Sequence, residues 1–310
     1  MRHLVSLKEQ SPDDLRHILD LASKIKTFHR RNSFLSQRTL IMLFQKNSTR
    51  TRLSFEAAMT ELGGHAIFLD ARTTQLGLAD FQDEIRAIMR MGDILMFRAL
   101  HASDVEVASS MNVVPVIDAC SEKYHPCQAL GDIFTMAEKA GSLDKIGKVV
   151  WLGIENNVSN TLMLACAKLG IEFWVVAPER DPASLDEELI KQTEATRYVH
   201  RTLDLKQALD NAGFIHTDTW MNMEFFENGK VKSNYEDEYR RRLNVFNPYQ
   251  INIELLTRYS PNAKIMHCMP CHVGYEITRE TINHPNSIIF DQAENRKHIQ
   301  KAILSWLLTI

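Results

Sequence analysis

Short apolar runs alternate with longer amphipathic stretches along almost the whole chain, and this rhythm restricts the fold more than any other feature. Leu40-Ile41-Met42-Leu43-Phe44 is too short for a typical helix and fits a strand buried on both faces. Similar runs recur at 66–69, 94–97, 113–117, 148–154, 172–177, 213–215, 264–266 and 287–290. Most of the segments between them carry helical spacing. Strands alternating with helices predict parallel sheets, and therefore an α/β fold of the doubly wound kind.

The helix signals agree with this. Ser11-Pro12-Asp13-Asp14 reads as a cap, a first-turn proline and first-turn acids. Leu15, Ile18, Leu19, Ala22, Ile25 and Phe28 follow at helical spacing, and Gly63-Gly64 stops the helix that carries Leu53, Phe55, Ala58 and Leu62. A final helix over 292–308 places Ile299, Ile303, Leu304 and Leu307 on one side. At about 150 residues per domain, 310 residues predict two domains. The polar join from Ala140-Gly141-Ser142 to Gly147 separates a first domain, 1–140, from a second, 147–290, with helix 292–310 packing back on the first.

Composition narrows the classes of function. With 36 basic and 39 acidic residues the net charge is −3, so no basic excess points to nucleic acid. No run of 18 apolar residues predicts a membrane-spanning helix. After Met1-Arg2-His3-Leu4-Val5 the sequence turns polar, without the apolar run of at least ~7 residues that a signal peptide needs. Together with five sparse cysteines, at 120, 127, 166, 268 and 271, this predicts reduced thiols and a cytoplasmic location.

Four motifs carry chemistry. Ser48-Thr49-Arg50-Thr51-Arg52 sits between a strand and a helix, where free N–H groups, hydroxyls and an arginine fork suit a phosphate. Plain N-capping beside a solvated basic turn is the competing reading, but two arginines in a first turn are unfavourable unless an anion is expected there. His125-Pro126-Cys127-Gln128 opens a helix after an apolar strand, at the sheet edge where open α/β folds bind ligands; alone it also fits a capping or core histidine. His267-Cys268-Met269-Pro270-Cys271-His272 contains Cys-x-x-Cys-His, a haem, zinc or redox spacing. No second cysteine pair accompanies it, and haem attachment wants export. Asp291 to Arg296 opens the final helix with acids, as capping alone would explain except at Arg296.

In this order the motifs Ser-Thr-Arg-Thr-Arg, His-Pro-x-Gln, His-Cys-x-Pro and Glu-Asn-Arg resemble the aspartate/ornithine carbamoyltransferase family over nearly the whole chain. Gly64, Gln75-Leu76-Gly77, Arg98, Asn156-Asn157 and Asp218-Thr219-Trp220 also have counterparts there. His-Cys-Met-Pro is similar to the ornithine branch. The resemblance implies two α/β domains, trimers or multiples of trimers, and transfer of a carbamoyl group from carbamoyl phosphate to L-ornithine, giving citrulline in arginine metabolism. It also implies site residues. Ser48, Thr49, Arg50 and Thr51 hold phosphate, and Gln75 reaches a neighbouring subunit's phosphate site. Arg98, His125, Pro126 and Gln128 address the carbamoyl group. Asn157, Asp218, Asn222 and Met223 contact ornithine, Cys268 and Met269 lie near the reacting amine and carbamoyl phosphate, and Arg296 closes the site. Catalysis falls to Arg50, Arg98, His125, Cys268 and Arg296, with no metal or cofactor.

Asn222-Met223-Glu224 stands where the ornithine branch usually has Ser-Met-Gly, and about ten extra residues follow. Cys271 and Val273 replace residues that are often Ala and Arg. Another amine acceptor, such as putrescine or a modified ornithine, or a non-catalytic anion-binding relative, are the alternative expectations.

Overall fold

A computed structural model describes residues 1–28, 32–221, 225–227 and 230–308. The chain forms two compact α/β units, one comprising Met1–Thr135, Asn157–Leu169 and Glu294–Ile310, the other Met136–Asn156 and Gly170–Ala293.

In the first unit, α1 (Pro12–Phe28), β1 (Thr39–Phe44), α2 (Thr49–Glu61), β2 (His65–Asp70), α3 (Phe81–Met89), β3 (Ile94–Arg98), α4 (Ala102–Ser110), β4 (Val116–Asp118) and all but the last five residues of α5 (Pro126–Ala140) follow in sequence. Their parallel sheet has the order β2-β1-β3-β4, with Leu40 opposite Ala66 and Ile94, and Phe97 opposite Asp118. β1 and β3 are apolar on both faces because both are covered: Ile41, Leu43, Leu95 and Phe97 pack with Ile85, Met89, Val105 and Val116. β2 lies at an edge and is only half-buried. β4 is shorter than the apolar run 113–117 suggests; Val113 and Val114 pack against the core ahead of the strand.

α6 (Asn157–Leu169) also belongs to this first unit, so the two units interleave along the chain, whereas the sequence places a single join at 140–147. α6 is buried on nearly every side. Lys168 near its end donates to the carbonyls of Lys8 and Gln10 at 2.8 and 2.6 Å, tying it to the N-terminal segment.

The second unit contains β5 (Lys148–Leu152), β6 (Phe173–Val176), α7 (Glu187–Glu194), β7 (Val199–Arg201), α8 (Leu205–Leu209), β8 (Ala212–Thr217), a two-stranded β9 (Phe226–Glu227) and β10 (Lys230–Val231), α9 (Glu236–Phe246), α10 (Ile253–Tyr259), β11 (Lys264–His267) and α11 (Arg279–Ile282). Its five-stranded parallel sheet runs β11-β8-β5-β6-β7. Val150, Leu152, Ile215 and Ile265 form its core.

Two local expectations change. β7 carries one buried apolar residue, Val199, too little to register as an apolar run. The run 287–290 is not a strand: Ser287 makes one isolated bridge to Ile265, and α12 (Ile289–Leu308) begins two residues later. Four apolar residues fit a buried strand or the first turn of a buried helix equally well.

Candidate active site

The strand ends place the candidate residues of the first unit. β1, β3 and β4 are parallel and point the same way, so the segments following Phe44, Arg98 and Asp118 leave one edge of the sheet. That carboxyl edge is where open α/β sheets bind ligands. After β1, Ser48 is the N-cap of α2 with φ −160°, yet its hydroxyl caps no backbone amide. It donates to Thr51 Oγ1 at 2.9 Å instead. The first turn of α2 holds no acid, so its N–H groups and positive dipole end are not met by a side-chain anion.

The two arginines of this turn separate. Arg52 pairs with Glu56 at 2.9 Å and lies over the Phe68 ring at 3.8 Å. The charge of Arg50 reaches His125, as do those of Arg296, Arg98 and Lys46. Arg296 is 4% exposed and donates to Thr51 Oγ1 at 3.1 Å, which joins the last motif to the first.

His125 is itself buried. Its backbone N–H donates to Thr161 Oγ1 at 2.9 Å, and Pro126 starts α5 immediately after it. Burial and, after it, the charges of Arg296, Arg98, Lys46 and Arg50 hold its pKa well below the ordinary value, so the imidazole is neutral. Gln128, 1% exposed, donates to Asp132 at 2.7 Å. Buried polar atoms at this edge lack hydrogen-bond partners among the described residues: Arg98 Nε, His125 Nδ1, Gln128 Oε1 and Asp118 Oδ1. Such atoms are costly when left unmet, so these residues are candidates to meet a polar ligand. Asn157 opens α6 and donates to the Ser121 carbonyl at 2.7 Å, which buttresses the 120–125 segment. Gln75 lies apart, exposed on the loop after β2.

In the second unit, β8 and β11 end side by side at Thr217 and His267. Asp218, just past β8, accepts from Cys268 Sγ at 2.9 Å, from Asn156 Nδ2 at 2.8 Å and from the Thr219 N–H at 2.8 Å. Met269 follows Cys268 with φ +57°, a left-handed conformation uncommon for a residue with a side chain. Gly153, at the end of β5, has φ +112°, and a Cβ there would lie 2.5 Å from Trp220 Nε1, so glycine is required. Asn222 and Met223 fall outside the described residues.

The ligand atoms of Asp218, His267 and Cys268 lie within 4.8 Å of one another. Both His267 ring nitrogens are engaged, however. The Met269 N–H donates to Nδ1 at 2.8 Å, and Nε2 faces Glu276 at 3.2 Å, so a cation there would have to displace existing bonds. All five cysteines are free thiols.

Three neighbours support these residues: Gln292 and His272, which lie within the motifs quoted from the sequence but carried no assigned role, and Asp118, which lies outside them. Gln292 accepts from the His267 N–H at 2.9 Å and contacts His216 Nε2 at 3.0 Å, so one amide braces two strand ends. His272 contacts Thr219 Oγ1 at 2.7 Å and stacks on Phe226 of the short hairpin at 4.3 Å. Asp118 is wholly buried at the end of β4. Its one trace in the sequence is a carboxylate closing an otherwise apolar run.

Residues 2–138 match the aspartate/ornithine carbamoyltransferase carbamoyl-P binding domain, and residues 146–307 match the Asp/Orn binding domain of the same family. The chain belongs to the aspartate/ornithine carbamoyltransferase family. It is 39% identical to the ornithine carbamoyltransferase of Methanothermobacter thermautotrophicus, with 99% of each chain covered. It is 38% identical to that of Chromobacterium violaceum over 99% of this chain and 97% of the relative. The solved ornithine carbamoyltransferase from Pyrococcus furiosus superposes with a TM-score of 0.89 at 38% identity, covering 100% of this chain and 98% of that one. Within this carbamoyltransferase fold, the Ser48–Gln128 residues come from the first matched segment, and Asn157, Asp218, Cys268 and Arg296 from the second. Among the described residues no helix is long and apolar enough to cross a membrane.

Proposed function

We propose that this carbamoyltransferase moves the carbamoyl group of carbamoyl phosphate to the side-chain amine of L-ornithine, releasing citrulline and phosphate. The observation that carries the reading is that the charges of four cations, Arg296, Arg98, Lys46 and Arg50, all act on one neutral buried imidazole. Such a cradle suits a dianion whose leaving group is phosphate.

Ser48, Thr49, Arg50 and Thr51 bind the phosphate, with Gln75 offered to a neighbouring subunit. Attack on the carbamoyl carbon builds negative charge on its oxygen. Arg98, Thr51 and a His125 N–H stabilise that charge as fixed donors, and Pro126 and Gln128 shape the same pocket. The reaction passes through no covalent enzyme intermediate, so positioning supplies most of the acceleration. In the second unit Asp218 receives the ammonium end of the acceptor, beside Cys268 and Met269. Asn157, Asn222 and Met223 contact the amino-acid end, and Arg296 closes over the phosphate. A homotrimer or multiple of trimers, a cytoplasmic setting and a place in arginine biosynthesis complete the reading.

The test is carbamoylation of a panel comprising ornithine, putrescine and acylated ornithines, scored by product and phosphate release. Ornithine ranks first in kcat/KM. Another amine ranking ahead of it transfers the assignment to that acceptor, and Glu224→Gly then identifies whether the departure at 222–224 is the cause. No turnover with any amine leaves a non-catalytic anion binder.

A further inference from the structure

Asp118 is wholly buried where β4 ends, one strand over from Arg98. Its Oδ2 accepts from Ser121 Oγ at 2.6 Å, and its Oδ1 has no partner among the described residues. Through Ser121 it holds the segment that delivers His125: the Ser121 N–H donates to the Tyr124 carbonyl at 3.0 Å, and the Tyr124 N–H donates to Ser121 Oγ at 3.3 Å. A carboxylate in this place opposes the binding of a dianion, and a carboxylic acid does not. We propose that Asp118 is a positioning residue that takes up a proton when carbamoyl phosphate binds, so that ligand affinity in the first unit falls as the solution becomes more alkaline. The inference rests on the carbamoyl-phosphate reading of that unit.

The surroundings define which group titrates. Burial pushes the Asp118 carboxyl up to about 8, only partly offset by the Ser121 hydroxyl, the charge of Arg98 at the end of β3, the Cys120 backbone N–H and the charge of Lys46 after β1. From the start of α5, His125 is held neutral. Cys127, on the same helix, stays a thiol, because burial raises it to about 12. Cys120 is the remaining thiol beside this group. Before the ligand arrives Asp118 therefore changes charge within the mildly alkaline range. A bound dianion favours its acid form further. The proton then sits on a carboxyl whose unpartnered oxygen changes from acceptor to donor, adding one hydrogen bond and removing one repulsion.

Calorimetric titration of the full-length protein with carbamoyl phosphate, in buffers of different ionisation enthalpy, reads the linkage directly. Uptake is small at pH 7 and approaches one proton per site near pH 9. Linkage predicts that affinity falls roughly 20-fold between pH 7.5 and 9.5. In Asp118→Asn the uptake disappears and affinity is flat over that range, because an amide still accepts from Ser121 but does not ionise. Ser121→Ala removes a bond that favours the charged form, so its uptake shifts to higher pH and keeps the proposal testable should Asp118→Asn fail to fold. Binding by the wild type without proton uptake overturns the proposal. So does uptake unchanged in a folded Asp118→Asn, which would place the proton elsewhere, such as on Cys120. Failure to bind carbamoyl phosphate at any pH instead overturns the reading of the first unit itself.

Discussion

The thiol of Cys268 donates to Oδ1 of Asp218 across 2.9 Å, joining the end of β11 to the end of β8. Asp218 also accepts from Asn156 and from a backbone N–H, so three donors hold the carboxylate in place. A fixed carboxylate of this kind can receive an ammonium group, and a thiol on one of its oxygens lies within reach of the same amine.

Cys268→Ser should therefore lower turnover more than Cys271→Ser, because Cys271 packs with the apolar core of the second unit. Asp218→Asn should raise KM for the acceptor while leaving carbamoyl-phosphate binding within about twofold, the pattern expected when one binding partner is weakened. Steady-state kinetics against each substrate separates the two effects. Thiol titration should find Cys268 free. Stoichiometric zinc, or a 268–271 disulfide required for activity, contradicts this account.

Arg50 and Arg52 stand two residues apart in one helical turn and predict opposite outcomes. Arg50→Lys keeps a charge beside His125 but loses the planar fork. The loss of a charged hydrogen bond should cost about 1.5–3 kcal/mol, roughly ten- to 150-fold in kcat/KM for carbamoyl phosphate. Arg52→Lys disturbs an exposed pair with Glu56 and a ring contact with Phe68, and should change kcat/KM by less than about threefold. Equal effects at the two positions would remove the phosphate role from Arg50.

That contrast also shows what the sequence could and could not convey. Strands buried on both faces, such as β1 and β5, declare themselves, because no polar residue interrupts them. The Ser48–Arg52 motif is legible because a strand end and a helix start flank it. Direction is not legible: nothing in Thr-Arg-Thr-Arg tells that the charge of Arg50 reaches His125 while Arg52 lies on Phe68. The short β7 was hidden by its polar neighbours Tyr198 and His200. The interleaving of α6 depends on contacts such as Lys168 with the carbonyls of Lys8 and Gln10, about 160 residues away, which leave no local pattern. Asp118 carries no distinct sequence signal, because one acid at the end of an apolar run looks like an ordinary strand terminus.

His298 gives the protein an acid-sensitive point. Its side chain on α12 is 1% exposed. Burial lowers its pKa to about 4, reinforced by Lys301, Lys26 and Lys297 and opposed by Glu294. The folded value lies below the unfolded value of about 6.5, so the unfolded chain binds the extra proton. Stability is thus lost as pH falls from about 6.5 toward 4, by about 2.5 kcal/mol at pH 4.5. His298→Gln should remove most of that loss. Urea midpoints of both proteins at pH 7 and pH 4.5 check it; parallel acid losses would exclude His298 as the source.

Glu61, at the end of α2, receives both Lys301 and Lys297 at 2.8 Å. The Lys301 side chain is fully buried and that of Glu61 is 15% exposed. α12 is therefore attached to α2 through a carboxylate that neutralises an ammonium with little access to water. Glu61→Gln keeps the size and one acceptor but removes the Glu61 charge from the buried Lys301 ammonium. Breaking a buried pair from one side costs about 3–5 kcal/mol, and the partial exposure of Glu61 places this case near the lower end. Replacing the pair together, as Glu61→Gln with Lys301→Met, should recover most of the loss, since the fully buried ammonium is gone and Lys297, which also loses its carboxylate, is 19% exposed. Denaturant unfolding of the single and double variants checks this: a single variant within about 0.5 kcal/mol of wild type, or a double variant no more stable than the single, shows that the charge pair does not hold α12 to α2.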